Sequence, residues 1–516
     1  MTSRKQGVIL SYVLMIFEIL STLLLTPFIL RTLGQAEYGV YKLAVVITSY
    51  LLLLDLGVGN AVVRYLAKYR ANNDVESSQK FMGATSIFYL AVAVLSLLGG
   101  VILIFCFPYI FGRGLSLDDI ELGQHLMLAT TLNAVITLGT AGFANALIAY
   151  EKFAVSRYVS IILIVVRVIL FYICLKIGFG SIGLAYVQLL TTIIGRFFYV
   201  YYVLHVIRLK PKFHGIESSF LKEVALYSSF ILIQMIATQI NASMGQFLIG
   251  AVVASSAIYL GIYSVGMQII QYYQSIGSAF SSVLMPGIVK LVENEASPQK
   301  ICDEMVKIGR ITFIVLGIIC GIYAVCGYDF IVLWAGDENS MAFVVSLLLM
   351  LVHLFVLVEA VGTQVLWAMN AHKEQSFAKL FAVLLNIILS VCLIKWNVLL
   401  GAALGTCISL LLGDIILMNI IYMKKIKFSL LKYYSSLLKG ILPAIICTVI
   451  LGWFICSCIP ISWLNLLVKI LIMLTIYVIL MLVFGFNQYE RELVGGILNK
   501  IKHSKNQYFV KNLTII

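Results

Sequence analysis

Gln188, Thr192, Arg196 and Tyr199 follow one another at spacings of 4, 4 and 3, which places them on one face of an α-helix. A guanidinium flanked by amide and hydroxyl groups presents a planar fork of donors, and that fork binds phosphate oxygens bidentately. The chemistry suggested is recognition of a phosphate or sugar-phosphate. Arg167, in the preceding apolar segment, is a second candidate. Arg31 and Arg64 stand nearer the ends of neighbouring apolar segments, where each is either a ligand group or an interfacial side chain reaching for water.

Four carboxylates also fall within apolar runs: Glu18, Asp55, Glu359 and Asp414. The stretch LLLLDLGVGNAVVRYLAKYR (51–70) sets Asp55 beside Gly57 and Gly59, so close packing or a bend is expected there. A charge at mid-bilayer costs roughly 2.5–3.5 kcal/mol on insertion scales. Each buried charge therefore needs either a partner that ties helices together or a place on a transport path. These four are the groups able to carry an H⁺ or Na⁺ counter-ion.

Two polar stripes accompany them. Ser264, Gln268, Gln271, Ser275, Ser278 and Ser282 share one helical face, and Gln234, Thr238, Asn241 and Gly245 share another. Such stripes either join helices or line water; two neighbouring ones favour a cavity, with Asp55 pointing into it. Tyr272 and Tyr273 beside Gln271 offer ring faces for sugars, though tyrosine is also an interfacial anchor.

The elements that carry these residues are apolar throughout. The 516 residues are 62% hydrophobic and 11% charged, with mean hydropathy +1.04. A soluble globular chain is excluded, and the short alternating segments of a membrane barrel are absent. About fourteen membrane-spanning helices are expected, near 8–30, 40–63, 81–107, 122–148, 155–176, 181–206, 224–249, 257–288, 308–333, 342–369, 375–396, 398–423, 437–459 and 462–486. The first run is too long for a cleaved leader and is read as a permanent span.

Charge sets an orientation. With the N-terminus cytoplasmic, about 28 of the 36 Lys and Arg fall on inside segments and about 5 outside. N- and C-termini are both expected inside. The same bias accounts for most of the net +13 and points to anionic lipid, not nucleic acid. The 424–440 segment and the tail, with Leu493, Ile497, Ile501 and Lys500, Lys502, Lys505, have the pattern of amphipathic helices on the inner leaflet. Ten cysteines form no CxxC pair, and most lie within spans, so neither a metal site nor a cofactor is expected.

The chain also repeats itself. AEYGVY (36–41) is echoed by AIYLGIY (257–263), Gln79-Lys80 by Gln299-Lys300, Gly183-Leu184-Ala185 by Gly401-Ala402-Ala403, and Gly195-Arg196 by Gly413-Asp414. An offset of about 220 aligns Asp55 with Ser275 and Arg196 near Asp414. Two six-helix lobes follow, 1–207 and 224–424, joined by a cytoplasmic linker 208–223 and followed by an extra helix pair and basic tail, 425–516. Six is even, so the lobes are parallel repeats with a cavity between them.

The segment LGQAEYGVYKLAVVITSYLLLLDLGVGNAVVRYLAKYR (33–70) resembles the start of polysaccharide transporters, the Wzx-type flippases of lipid-linked oligosaccharides in the multidrug/oligosaccharidyl-lipid/polysaccharide exporter superfamily. The matching positions are Leu33-Gly34, Tyr38-Gly39-Val40-Tyr41, Asp55-Leu56-Gly57 and Arg64-Tyr65. ALIAYEKF (146–153), and Asn386 with Gly401-Ala402-Ala403 and Thr406, are similar to later segments of that family. The resemblance implies an all-α fold of two lobes that alternate between facing in and facing out. It implies a bacterial cytoplasmic membrane, an undecaprenyl-pyrophosphate-linked oligosaccharide as cargo, and a polymerase and glycosyltransferases as pathway partners. The lipid II flippases are close relatives, but the first span here lacks their dense arginine cluster.

Other readings are multidrug efflux, which needs an acidic cavity for cations, and a membrane polymerase or ligase, which needs a substantial outer loop for catalysis. The longest outer loop here, about 108–121, is short, and His353 stands alone in its span. No catalytic residue is expected. No phosphate-binding GxxxxGK[ST] loop is present either.

Overall fold

The computed structural model describes residues 3–214, 218–294, 296–369, 371–427, 429–492 and 495. The expectations for Leu493, Ile497, Lys500, Ile501, Lys502 and Lys505, and for the side chain of Ser282, lie outside the described residues. Within them the chain is helical, with no strand.

The first half runs α1 (Ser3–Ser49), α2 (Val58–Ala71), α3 (Val75–Phe111), α4 (Leu117–Gly139), α5 (Ala141–Ala149), α6 (Phe153–Ile177) and α7 (Gly180–Tyr201). Then come α8 (Ser218–Val252), α9 (Ser256–Glu293), α10 (Pro298–Ala335), α11 (Met341–Val358), α12 (Ala360–Ala368), α13 (His372–Ile394), α14 (Val398–Leu410) and α15 (Met418–Ile426). The last are α16 (Leu430–Leu438), α17 (Ile441–Cys456) and α18 (Trp463–Leu480). Nine helices are long and apolar enough to cross a membrane, or up to eleven if each bent pair is one span, among the described residues. The chain is therefore a multi-pass membrane protein. The count of fourteen is not reached by this measure, which takes Ile9–Ala71 as one unit across two expected spans.

Local sequence sets the ends. Ser116 and Asp119 close a capping box on α4, with the Asp119 N–H donating to Ser116 Oγ at 3.1 Å. Ser297 caps α10 ahead of Pro298 in its first turn, so α10 begins ten residues before the expected span. Inside α1 the backbone leaves the helix at Gly34.

The expected bend in the second span is present. Tyr50–Asp55 tightens to a 3₁₀ turn, and Leu56 and Gly57 take φ of +54° and +73° before α2 starts. Glycine relieves one of two consecutive left-handed positions. Gly59 packs closely as well: a Cβ there would lie 2.7 Å from Asn145 Nδ2.

Two breaks in the chain stand one repeat length apart. α4 and α5 bend by 44° at Thr140, and one repeat length later the chain breaks again at Glu359, between α11 and α12. The two matching motifs, AEYGVY and AIYLGIY, lie against each other where α1 packs on α9. A Cβ on Gly39 would sit 2.2 Å from the Ala257 carbonyl oxygen, and one on Gly261 would sit 2.4 Å from that of Gln35. The backbones touch there because neither position carries a side chain.

The extra pair, α17 and α18, packs on α10. Lys469 of α18 pairs with Asp329 of α10, and both are buried. Arg310, which the charge pattern placed on a cytoplasmic segment, is only 4% exposed. Its guanidinium donates to both oxygens of Glu490 at 2.6 and 3.0 Å, and to the carbonyls of Ser436, Lys439 and Gly485 at 2.8–2.9 Å. It holds the α16–α17 junction and the chain after α18 against α10.

Candidate functional site: a polar cavity bearing two arginines

A cavity of about 280 Å³ lies among α1, α4, α6 and α7. Gln188, Thr192, Arg196 and Tyr199 line it from α7, as their spacing predicts, and Arg167 and Ser160 face them from α6. Glu18 enters from α1, and Asn133 and Thr137 from α4. Six residues picked out by spacing and burial cost (Glu18, Arg167, Gln188, Thr192, Arg196 and Tyr199) are thus brought together.

Small residues make room for this wall. A Cβ on Gly195 would stand 2.6 Å from Leu163 Cδ1, so α6 and α7 approach closely just where Arg196 begins. Arg167 is positioned by its Nε donating to Thr191 Oγ1 at 3.3 Å, and that hydroxyl donates to the Gln188 carbonyl at 3.0 Å. Tyr199 meets the hydroxyls of Ser156 and Ser160 at 3.4 Å. Arg196 has neither a hydrogen bond nor an ion pair among the described residues. Asn133 Oδ1 is buried without a hydrogen-bond partner. Two guanidiniums and one carboxylate leave the cavity net positive, and its unfilled donors suit a multi-oxygen anion.

The other sequence candidates sit elsewhere. Arg31 and Arg64 are exposed and line neither described cavity. Asp55 is at the break between α1 and α2, where it accepts from Tyr89 OH at 2.6 Å, and lines neither described cavity. Gln268 is a buried knot: it accepts from Tyr38 OH at 2.9 Å and donates to Thr26 Oγ1 and Tyr272 OH at 2.7 and 2.6 Å. Together with Tyr272 it joins α1 to α9, because tyrosine and threonine hydroxyls on α1 face the amide. Gln271 is exposed. The α9 stripe divides accordingly: Ser264 and Gln268 bond neighbouring helices, and Ser278 reaches a cavity.

Glu359, at the second-half break, is 3% exposed and accepts from Asn419 Nδ2 at 2.9 Å and from Tyr434 OH. Asp414 lies in a π-helical turn, Leu411–Leu417, and pairs with Lys379 at 2.8 Å. Sequence reasoning missed Lys379, and also Lys42, which is half-buried in α1 with its Nζ 5.2 Å from the centre of the Tyr38 ring. The signal for Lys379 was available: it shares a helical face with Gln375 and Asn386, one turn beyond the first and two before the second.

Known structures share this architecture. A lipid II flippase, MurJ, in an inward closed conformation superposes with a TM-score of 0.70 at 16% identity, covering 95% of this chain and 99% of that one. An inward-facing multidrug resistance MATE family transporter gives 0.61 at 14% identity, over 78% and 96% of the two chains. A transporter of the MOP superfamily from Pyrococcus furiosus gives 0.55 at 16% identity, over 84% and 96%. These likenesses establish the fold, that of the MOP exporters. No curated protein sequence matches the chain. The profile of the polysaccharide biosynthesis protein family spans residues 4–292, more than half of the sequence, and the chain belongs to that family.

Proposed function

We propose that this protein is a flippase that carries a polyprenyl-pyrophosphate-linked oligosaccharide from the cytoplasmic to the outer leaflet for cell-surface polysaccharide assembly. The observation that carries the reading is Arg196: a guanidinium inside a polar cavity, beside Arg167, with no ion-pair partner among the described residues. Family membership supports the pathway. The carrier is proposed to be undecaprenyl, the membrane the bacterial cytoplasmic one with both termini inside, and the pathway's polymerase and glycosyltransferases its functional partners.

The two parallel lobes supply alternating access, and transport needs no bond made or broken in the cargo. Outward movement of an anion is downhill when the cytoplasm is negative, by about 2.3 kcal/mol per charge per 100 mV. Counter-movement of H⁺ or Na⁺ through Glu18, Asp55, Glu359 or Asp414 is a further part of the proposal. An efflux site for cations is disfavoured by the positive charge of the arginine cavity.

The test is complementation of a flippase-deficient strain, read as surface polysaccharide per inserted protein. Arg196→Gln is expected to abolish export and Arg196→Lys to keep part of it, because a point charge replaces a bidentate fork. Full activity of Arg196→Gln overturns the reading.

A further inference from the structure

A second cavity, of about 570 Å³, lies away from the arginines. Its volume falls in the range of small-molecule sites, roughly 300–1,000 Å³. Leu53 reaches it from the turn before Asp55, and its other walls come from α8, α9, α11, α12 and α13. The polar lining is amide and hydroxyl, with four glutamines, two threonines and one serine. Lys379 is its one charged lining residue, and the Lys379–Asp414 pair neutralises it. Asp414 is the repeat counterpart of Arg196, so the second half carries a closed ion pair where the first half carries an open guanidinium.

Three features set this cavity apart from a packing gap. Gln234 is 8% exposed, yet its Nε2 has no hydrogen-bond partner, a deficit that costs about 1–3 kcal/mol unless something fills it. Trp367 Nε1 donates to Gln375 Oε1 at 2.6 Å, which fixes the indole while 39% of the residue stays exposed. Thr363, Gln364 and Trp367 share one face of α12, so ring and amide form one wall.

An amide gives and accepts hydrogen bonds, as does each hydroxyl of a sugar, and an indole face packs against the C–H face of a pyranose ring. A phosphate would need an uncompensated cation, and a cationic drug an unpaired carboxylate; the lining provides neither. We propose that this cavity is a saccharide-binding seat for uncharged sugar units, held by Gln234 and Gln364 with Trp367 beneath a ring. Resting on the proposed function, this divides the cargo: pyrophosphate to the arginine cavity, sugar to the glutamine–tryptophan cavity.

The experiment is calorimetric binding to the full-length protein in lipid nanodiscs with two kinds of probe. One is a panel of neutral N-acetylhexosamines, hexoses, 6-deoxyhexoses and their disaccharides; the other is inorganic pyrophosphate. At least one saccharide is expected to bind saturably, weakened about tenfold or more by Trp367→Ala and Gln364→Ala and much less by Trp367→Phe. Pyrophosphate affinity stays unchanged in all three variants, and Arg196→Gln shows the reverse pattern. Gln364 is half-buried and has no hydrogen-bond partner among the described residues, so its variant still decides the matter if Trp367→Ala fails to fold. Absence of binding across the saccharide panel, or binding that survives Gln364→Ala, overturns the seat; so does ethidium binding that depends on Trp367 when no sugar binds. Saccharide binding without pyrophosphate binding keeps the seat and counts against the proposed function instead.

Discussion

Asp414 and Lys379 form an ion pair at 2.8 Å, with Asp414 buried and Lys379 opening onto the larger cavity. The repeat counterpart of Asp414, Arg196, therefore does not need Asp414 as a tie. Exchanging the two charges, Arg196→Asp with Asp414→Arg, is expected to leave export abolished. Surface polysaccharide per inserted protein is the readout, and an active exchange would refute the phosphate role. Asp414→Asn leaves Lys379 uncompensated, and because Lys379 is only partly buried the cost falls below the about 3–5 kcal/mol of a fully buried pair. A lowered melting temperature, recovered by Asp414→Asn with Lys379→Met, is the expected result.

Arg310→Ala removes the hydrogen bonds that tie α10 to Glu490 and to the carbonyls of Ser436, Lys439 and Gly485. Loss of one partner from such a buried set is expected to cost about 3–5 kcal/mol. Limited proteolysis should then cut between α15 and α17 faster than in the parent protein. Arg310→Lys should rescue only part, since one ammonium with three donors cannot reach all five acceptor oxygens.

Asp55 receives the Tyr89 hydroxyl beside two left-handed residues. Asp55→Ala removes the acceptor of that hydroxyl, leaving it only Asn145, and is expected to destabilise by about 1–3 kcal/mol, with export reduced beyond the loss of protein. Asp55→Asn keeps an acceptor. If Asp55→Asn exports normally, its carboxylate carries no coupling proton and the residue acts by holding the break.

Orientation is checked by labelling single cysteines in a cysteine-free background. Asn72 and Ser297 are exposed and should react only from the cytoplasm. Ser116 and Glu338, also exposed, should react in intact cells; neighbouring Asn339 is buried, 2% exposed, and unsuitable. Labelling of Ser297 from outside would overturn the parallel arrangement of the two lobes.

The arginine cavity was legible because helical spacing assigns a face, and burial cost restricts a mid-span guanidinium to few environments. Arg167, Gln188, Thr192 and Arg196 do line one cavity. Gln268 was misread for a stated reason: a polar stripe looks the same whether its partners are water or the hydroxyls of a facing helix, and Thr26 and Tyr38 lie far away in sequence. Arg310 and Lys379 sit where apolar runs begin, so they read as orientation signals. Their partners, Glu490 and Asp414, come from helices the sequence could not pair. The Ser297-Pro298 signature for an early start to α10 was present and would have extended that helix beyond the lipid.

The contact of Gly39 with Ala257 and of Gly261 with Gln35 is backbone against backbone, so no rotamer change can loosen it by degrees. It is either made or broken, and under the alternating access proposed above it belongs to one member of a conformational equilibrium. A methyl group at Gly39 therefore acts as a wedge upon populations. Each 1.4 kcal/mol of misfit removes this arrangement from the ensemble by about tenfold, while every ligand group stays in place. The expected phenotype is an altered dwell time in one orientation, visible as faster or slower cycling, with intrinsic affinity for cargo unchanged. Two glycines a whole lobe apart would then act as the timing element of the transporter, remote from anything the cargo touches.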